Sequence, residues 1–287
     1  MPRALIAGCG YLGQALADLL AANDWGVEGW TTSTESAQQL LDRGIRAQSV
    51  DISDEKDVAA HKADFDVVVH CASTRGGDVD LYRQVYFEGA QNLRNHVGGA
   101  KFLFTSSTSV YAQINGEIVT EQSPAQPKHE TGRILRQAED LVLAKNGVVV
   151  RLGGIYGPGR SALLKRFLSG DSVVDPAQDR FVNQIHRDDA AMGMCLLLKS
   201  ATAGGEIYNV VDDQPILQSE CYHWLASKVN RLAAVERMTS TRKRGESNKR
   251  VSNAKLRSIG WIPQYRTFAD GMEKSVLPAA SSFRSTD

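Results

Sequence analysis

The sequence has no excess of either charge. Its 33 lysine and arginine residues balance 33 aspartate and glutamate residues, which gives a formal net charge of zero at pH 7. Nucleic acids and anionic membranes attract proteins through strongly basic surfaces, and the bulk composition offers no such bias. We therefore expect neither nucleic acid nor a membrane as a partner.

Cysteine is also scarce. The four cysteines, at positions 9, 71, 195 and 221, are scattered and form no C-x-x-C pair. This spacing favours neither a disulfide framework nor a zinc site, and we expect no bound metal. The longest apolar runs are far shorter than a membrane span, and Met1-Pro2-Arg3 leads directly into an apolar strand instead of a signal peptide. These absences are typical of a cytoplasmic protein.

What the sequence does contain is a glycine motif near its beginning. The apolar run Ala4-Leu5-Ile6-Ala7 leads into Gly8-Cys9-Gly10-Tyr11-Leu12-Gly13, and an amphipathic segment over residues 14–20 follows. This order predicts a strand, a tight turn and a helix whose first amides face a pyrophosphate. The alternative is a glycine-rich turn that only packs the helix against the strand. We predict that NAD(P) binds here, held by Gly8, Gly10, Tyr11, Leu12 and Gly13.

The end of the second predicted strand, over residues 25–31, bears on the choice of cofactor. An acid at this point holds the ribose 2′-OH of NAD, whereas an arginine or a hydroxyl-rich loop accommodates the 2′-phosphate of NADP. The chain has Thr31-Thr32-Ser33-Thr34 here, and Glu28 lies inside the strand instead of at its tip. We predict that Thr31 and Thr32 meet the adenosine ribose, and we favour NADP over NAD.

Two further strand ends are predicted to contact the cofactor. The third strand is expected to end at Val50-Asp51-Ile52, which places Asp51 and Ile52 near adenine; the alternative for Asp51 is a helix N-cap. Residues 67–72 form a continuous apolar run, which is typical of a central parallel strand covered by helices on both faces. Its carboxyl end, where ligands bind in open α/β sheets, carries Cys71, Ala72 and Ser73.

Strands and helices alternate through the first half of the chain. This alternation predicts an α/β fold, a Rossmann-like doubly wound parallel sheet with a smaller C-terminal substrate lobe. We expect residues 1–155 to form the NAD(P)-binding domain and residues 156–287 to form mainly the substrate lobe, with segments near 180–212 returning to the first domain. Long helices after the third and fourth apolar strands offer a face for a homodimer.

Motifs further along the chain carry a resemblance to a known family. They are, in chain order, Phe104-Thr105-Ser106-Ser107-Thr108-Ser109-Val110-Tyr111 with Glu121, Pro124 and Pro127; Arg151-Leu152-Gly153-Gly154-Ile155-Tyr156-Gly157-Pro158-Gly159; Asn183-Gln184-Ile185-His186-Arg187-Asp188-Asp189; Tyr208-Asn209-Val210; Asn248-Lys249-Arg250-Val251-Ser252-Asn253; and Gly260-Trp261-Ile262-Pro263. Together they resemble the extended short-chain dehydrogenase/reductase superfamily, in its NAD-dependent epimerase/dehydratase group. The resemblance covers nearly the whole chain. It implies redox chemistry through NAD(P) on a small-molecule substrate, a sugar-nucleotide-like or other hydroxylated compound.

The same resemblance implies a catalytic Ser or Thr together with a Tyr-x-x-x-Lys pair, and the chain departs from this pattern. Ser107 matches the serine, but the best register places His129 at the tyrosine and Arg133 at the lysine. Tyr111 belongs to the upstream Val-Tyr motif, which the family places near the substrate. Two smaller departures are Ala7, at the position of the usual first glycine, and Tyr86, at the position of a structural asparagine.

Three interpretations of these departures stay open. In the first, His129 replaces the tyrosine as acid/base, because an imidazole titrates near neutrality without a lysine, and Arg133 holds the cofactor. In the second, the protein is a catalytically inactive dinucleotide-binding sensor or regulator. In the third, His129 and Arg133 are merely surface residues at the start of a helix.

Two clusters in the second half of the chain remain to be assigned. His186 and Asp189 are interpreted as structural, with Asp189 as the N-cap of a following helix. The basic cluster Arg242-Lys243-Arg244 with Lys249-Arg250 is either a solvated loop or, as the family implies, a contact to the phosphates of a nucleotide-linked substrate.

Overall fold

The computed structural model describes residues 1–61, 64–74, 76–97, 99–174, 179–229, 235–236 and 247–282. The chain divides into two compact units. The first contains Met1–Val110, Ala125–Arg151 and Ala190–Tyr208, and the second contains Tyr111–Pro124, Leu152–Asp189 and Asn209–Asp287. The assignment of residues 1–155 to the cofactor and of residues 156–287 mainly to the substrate stays a prediction.

The first unit is built from alternating strands and helices. In chain order they are β1 (Arg3–Ala7), α1 (Tyr11–Ala21), β2 (Gly26–Thr31), α2 (Thr34–Asp42), β3 (Arg46–Ser49), α3 (Glu55–Ala60), β4 (Val67–His70), α4 (Val79–Tyr82), a π-helical segment (Arg83–Glu88), α5 (Gly89–His96), β5 (Lys101–Ser107), a 3₁₀ turn (Thr108–Val110), α6 (Glu130–Leu143) and β7 (Val148–Leu152). Helix α8 (Arg187–Lys199) and strand β12 (Ile207–Val210) each begin in one unit and end in the other.

Seven strands form the central sheet, in the order β12-β7-β5-β4-β1-β2-β3. The pairs from β3 to β5 are parallel, with Ala7 opposite Trp30 on one side and His70 on the other. All residues of β4 and β7 are buried, as a continuous apolar run predicts. The doubly wound α/β fold predicted from the sequence is therefore confirmed. Its strand order reverses between β1 and β4, and ligands bind beside such a switch point in open sheets of this kind.

The helical stretch predicted between β4 and β5 is present, but it is not a uniform α-helix. The six-residue π segment Arg83–Glu88 interrupts it. The buried His70 ring, at the end of β4, lies with its Nε2 2.9 Å from the carbonyl oxygen of Val85 inside that segment. A π turn changes the hydrogen-bond partners of backbone carbonyls, and the carbonyl of Val85 in this segment lies against the His70 ring. Burial lowers the pKa of His70 to about 4, so the ring stays neutral.

The second unit has its own small strands, helices and apolar core. Its elements are β6 (Glu117–Val119), β8 (Gly154–Tyr156), α7 (Ala162–Leu168), β9 (Val173–Val174), β10 (Phe181–Val182), β11 (Gln184–His186), β13 (Ile216–Leu217), α9 (Gln218–Val229), β14 (Val235–Glu236), β15 (Lys249–Val251), α10 (Ala254–Ser258), α11 (Phe268–Gly271), a second π segment (Met272–Val276) and α12 (Leu277–Ser282). Strands pair as β10-β13, β11-β8, β14-β9 and β15-β6. Tyr156, Phe167, Tyr222 and Phe268 are among the buried residues of its core.

Asp189 is not the N-cap predicted from the sequence. Helix α8 begins two residues earlier, at Arg187, so Asp189 lies in its first turn. The Asp189 carboxylate is fully buried and accepts the backbone N–H groups of Gln264 (2.6 Å) and Tyr265 (2.9 Å). It therefore holds a later segment of the second unit in place. His186, three residues before Asp189, is also fully buried. Its Nε2 lies 3.0 Å from Ser275 Oγ, which agrees with a structural role.

Candidate functional site

The glycine motif forms the turn between β1 and α1. The backbone N–H groups of Gly8 and Cys9 both donate to the Trp30 carbonyl, at 2.9 and 3.0 Å, which ties the turn to β2. The first backbone bond inside α1 runs from Gln14 N to Gly10 O. The amides of Leu12 and Gly13 come before that bond, at the positive end of the helix dipole, where an anionic group binds favourably.

Gly8 lies against the chain that follows β4. Its φ angle is +86°, a conformation that favours glycine. A Cβ at Gly8 would lie 2.6 Å from the Cys71 carbonyl carbon and closer still to the Ala72 backbone. The first glycine thus brings the end of β1 and the start of the Cys71-Ala72-Ser73 segment into direct backbone contact.

Gly13 sets the distance between α1 and the turn. A Cβ there would lie 2.8 Å from the Gly8 carbonyl oxygen and 3.1 Å from Ile6 Cγ2, so only glycine allows this close approach. The turn therefore has the compact form that a pyrophosphate needs, and the residues predicted from the pattern fit this ligand.

The two cysteines at the site are not candidates for thiolate chemistry. Burial raises the pKa of Cys9 to about 12 and that of Cys71 to about 12. Both thiols therefore stay protonated and contribute packing, since only the thiolate is a strong nucleophile.

At the end of β2, the acid Glu28 is already hydrogen-bonded, Thr31 is half-buried, and Thr32, Ser33 and Thr34 are exposed. Glu28 Oε1 accepts from Trp30 Nε1 and from Gln48 Nε2, both at 2.8 Å, so this carboxylate is held inside the sheet by its neighbours. Thr31 Oγ1 donates to the Ser33 carbonyl at 3.1 Å, and Thr32 is exposed. Ser33 caps α2 by accepting from Ser36 N. The roles of Thr31 and Thr32 stay predictions.

Strand β3 ends earlier than the sequence suggests. It stops at Ser49, and Asp51 lies in a turn in which its Oδ1 accepts from Ser53 N (2.9 Å) and Ser53 Oγ (2.7 Å). The N-cap of α3 is Asp54, so the alternative interpretation of Asp51 as that cap is wrong. Ile52 is buried, and its carbonyl accepts from Asn92 Nδ2 at 3.0 Å. Contact of Asp51 and Ile52 with adenine stays a prediction.

Of the predicted catalytic residues, Ser107 is the last residue of β5. Its side chain is half-buried, and its Oγ accepts from Ser109 N at 3.1 Å. The hydroxyl proton can still be donated. Ser107 thus lies at the carboxyl end of a strand adjacent to β4, at the same edge of the sheet as the glycine turn.

Tyr111 belongs to the second unit and is fully buried. Its hydroxyl donates to Asn209 Oδ1 at 2.9 Å, and Asn209 is part of the Tyr208-Asn209-Val210 motif. Two motifs that the sequence separates by almost a hundred residues are thereby joined. This contact supplies a packing role for Tyr111, and its catalytic role stays a prediction.

His129 and Arg133 stand at the start of α6, and both are exposed. His129 occupies the N-cap position without a side-chain capping bond, and Arg133 Nη1 pairs with Glu130 Oε2 at 3.0 Å. A surface pair of this kind contributes little to stability. Their roles in catalysis or cofactor binding stay predictions.

Sequence reasoning missed a buried polar cluster directly behind Ser107. Ser106 Oγ donates to Glu139 Oε1 at 2.6 Å, and Arg151 binds the same carboxylate through Nε (3.0 Å) and Nη2 (2.7 Å). Glu139 and Arg151 are at most 1% exposed, and Arg136 also pairs with Glu139. The one signal in the sequence was an arginine, Arg151, inside an otherwise apolar strand.

Part of the basic cluster in the second unit can be described. Residues 242–244 lie outside the described residues. Lys249 is 5% exposed, its Nζ donates to Ser247 Oγ at 2.9 Å, and burial, followed by the nearby Arg180, lowers its pKa to about 8. Arg250 Nε donates to the Gly116 carbonyl at 2.8 Å. Neither residue is therefore part of a freely solvated loop.

The described residues contain no group of three or more His, Cys, Asp or Glu side chains placed to hold a metal ion. None of the helices in this part of the chain has both the length and the apolar character that crossing a bilayer requires.

The sheet order, the glycine turn at β1 and its contact with the segment after β4 define a dinucleotide-binding α/β protein of the Rossmann class. More specifically, the chain belongs to the NAD dependent epimerase/dehydratase family, whose sequence profile matches residues 4–210. The family predicted from the motifs is confirmed.

Comparison with known proteins gives relatives of similar length. Protein YeeZ of Escherichia coli K12 is 32% identical over 221 residues, covering 73% of this chain and 77% of YeeZ. A structure from Methylobacillus flagellatus with a provisional NAD-dependent epimerase/dehydratase assignment is 27% identical, with a TM-score of 0.78 and 99% of both chains covered. DesIV, a dTDP-glucose 4,6-dehydratase from Streptomyces venezuelae solved with NAD bound, is 21% identical, with a TM-score of 0.83 over 99% of this chain and 98% of DesIV. The last likeness shows the shared fold.

Proposed function

We propose that this protein is an NAD(P)-dependent enzyme of the epimerase/dehydratase type that acts on a sugar nucleotide or a similar hydroxylated compound. The observation that carries the proposal is the glycine turn at β1, where a side chain at Gly8 would collide with the Cys71 and Ala72 backbone. Such a turn lets the backbone approach a pyrophosphate closely. Family membership, and the NAD and dTDP-glucose chemistry of DesIV, support the substrate class.

Each part of the cofactor has candidate residues in the first unit. In this proposal the amides of Leu12 and Gly13 hold the pyrophosphate, Thr31 and Thr32 meet the adenosine ribose, and Asp51 and Ile52 lie near adenine. The hydroxyl residues at the end of β2, of which Thr32 is exposed, favour a 2′-phosphate and hence NADP, because Glu28 is hydrogen-bonded to Trp30 and Gln48. Ala72 and Ser73 complete the site beside the glycine turn.

NAD(P), when bound, supplies a hydride acceptor or donor, and the protein must position the substrate and move a proton. Ser107 is the first candidate for positioning, because its hydroxyl can donate to a substrate oxygen while its Oγ accepts from Ser109 N. Such a hydrogen bond fixes the orientation of the reacting carbon and stabilises charge that develops on the oxygen.

We expect Ser107→Ala to lower kcat for the sugar nucleotide that the wild-type protein converts by about 100-fold, the range that loss of one positioned donor produces. Conversion is followed by nicotinamide absorbance and product chromatography over a panel of dTDP- and UDP-sugars. The matched control is Ser109→Ala, an exposed neighbour whose backbone, and not its side chain, contacts Ser107. Equal rates for Ser107→Ala and the wild type would remove Ser107 from the mechanism.

The second candidate function is a dinucleotide-binding sensor without chemistry. The exposure of His129 and the pairing of Arg133 with Glu130 favour it, because neither residue then serves as an obvious acid/base. The panel separates the two functions. A protein that binds NAD(P) but converts none of the sugars is the result that the sensor hypothesis predicts.

A further inference from the structure

Tyr86 is a half-buried tyrosine on the π segment that runs past the ends of β4 and β5. Its ring stacks on His70, with centroids 6.4 Å apart and an interplanar angle of 11°, and meets Phe104 edge-on at 6.4 Å. A second tyrosine, Tyr82, lies 5.1 Å away, one helical turn earlier. The Tyr86 ring is therefore held in a defined orientation by aromatic neighbours from two adjacent strands.

The Tyr86 hydroxyl reaches the predicted cofactor site. Ser73 and Thr74, both in the segment after β4, lie close enough to the Tyr86 hydroxyl to lower its pKa. His70 and Phe104 are register partners in the parallel β4–β5 pair, and Ser73 and Ser107 each lie three residues further along. Because β4 ends at His70 and β5 at Ser107, Ser73 and Ser107 both lie at the carboxyl edge of the sheet, Ser73 in the segment after its strand and Ser107 at the end of its strand. The phenol thus comes to the edge where Ser107 is the proposed substrate-binding hydroxyl.

Helix α6 packs against the segment that carries Tyr86, and Arg83 Nη1 and Gln137 Oε1 lie 3.4 Å apart between them. The motif pattern would bring an acid/base from the start of α6, where this chain has His129, exposed to solvent. Tyr86 thus lies on the helical segment that packs against α6.

We propose that Tyr86 is the proton-transferring residue of this enzyme, a catalytic role that rests on the function proposed above. In the reductive direction, the Tyr86 phenol gives its proton to a substrate carbonyl oxygen while the hydride supplied by NAD(P)H adds to the carbonyl carbon. The C=O double bond becomes a CH–OH group, NAD(P)⁺ is formed, and the phenolate recovers a proton from solvent. Oxidation of the alcohol is the reverse reaction.

The surroundings of Tyr86 determine which form of the phenol is present. Burial raises its pKa, and the nearby Ser73 and Thr74 oppose that shift. Without a positively charged nicotinamide beside it, the Tyr86 phenol is therefore protonated at neutral pH and can donate its proton. A positively charged nicotinamide nearby favours the phenolate, because opposite charges lower the pKa of an acid. Oxidised and reduced cofactor should consequently affect Tyr86 differently.

The test compares Tyr86→Phe with Tyr82→Phe, which both keep an aromatic ring and remove one hydroxyl. Tyrosinate formation is followed by near-ultraviolet difference absorbance as the pH is raised, with NADP⁺, with NADPH and without either. We expect NADP⁺ to lower the apparent pKa of one tyrosine by about one unit or more in the wild type and in Tyr82→Phe. We expect no such shift in Tyr86→Phe, and none with NADPH, whose nicotinamide is neutral.

Thermal unfolding of the same samples distinguishes the two ways in which the proposal can fail. If no dinucleotide stabilises the wild-type protein, the proposed function fails, and the role of Tyr86 fails with it. If NADP⁺ stabilises all three proteins but the tyrosinate shift persists in Tyr86→Phe, only the assignment of Tyr86 is overturned. With a sugar nucleotide that the wild type converts, Tyr86→Phe should also lower kcat about 100-fold or more at an unchanged KM for the cofactor.

Discussion

Replacing Gly8 with alanine is expected to abolish dinucleotide binding and to lower the free energy of unfolding by about 4 kcal/mol or more, the size of effect that marks a backbone collision in a core. The alanine would have to adopt a φ angle of +86°, which alone costs about 1–2 kcal/mol. Its Cβ would also lie 2.6 Å from the Cys71 carbonyl carbon and closer to the Ala72 backbone. This collision is relieved only if the end of β1 and the segment after β4 move apart. That movement opens the proposed pyrophosphate site. Urea unfolding and calorimetric titration with NADPH measure the two effects.

The matched control for this variant is Gly44→Ala. Gly44 also has a positive φ, +78°, but no atom lies within 4 Å of a Cβ built there. The control therefore carries the backbone strain without the collision, and we expect a loss of about 1 kcal/mol with unchanged NADPH affinity. Equal losses in the two variants would show that the contact between Gly8 and Ala72 is not what fixes this turn.

Replacing Arg151 with methionine is expected to destabilise the protein by about 3 kcal/mol, because it leaves the buried Glu139 carboxylate without its bidentate partner. Ser106 and Arg136 still contact Glu139 in the variant, but Arg151 supplies two of the hydrogen bonds inside the core. Loss of one partner of a buried ion pair costs more than loss of both, since the buried Glu139 carboxylate stays behind with only the partly exposed Arg136 to balance its charge. Urea unfolding at neutral pH gives the change in free energy.

A double-mutant cycle isolates the coupling between these two residues. We expect the Glu139→Leu, Arg151→Met double variant to be more stable than Arg151→Met alone, because no buried charge remains. Arg133→Met is the surface control: its partner Glu130 is 42% exposed and Arg133 itself is 57% exposed, so we expect less than about 1 kcal/mol. Additive losses along the cycle would mean that Glu139 and Arg151 do not stabilise each other.

The sequence predicted the beginning of the chain well, because the signals there are local. A short apolar strand, glycines at fixed spacing and an amphipathic helix each leave a pattern within a few residues, and β1, the turn and α1 follow that pattern. The boundary of β3 was predicted less well. Apolar Val50 and Ile52 suggested a continuing strand, but the Asp51 side chain bonds to Ser53 and turns the chain.

Features that depend on distant residues could not be predicted. The π segment forms where Val85 meets His70, 15 residues away, and the buried carboxylate of Glu139 depends on Ser106 and Arg151. The position of Tyr86 also depends on distant residues, because its ring packs against His70 and Phe104. From the sequence, Tyr86 was merely a departure from the family pattern.

The most direct test of the proposed function is a thermal-unfolding titration of the purified protein with NAD⁺, NADH, NADP⁺ and NADPH. A ligand that binds only the folded state raises the unfolding temperature by mass action, and its concentration dependence gives the affinity. We expect all four to stabilise the wild-type protein, NADP⁺ and NADPH at lower concentrations, and none to stabilise Gly8→Ala. No stabilisation of the wild type by any of the four, at concentrations far above ordinary cofactor affinities, would contradict the assignment of the glycine turn as a dinucleotide site.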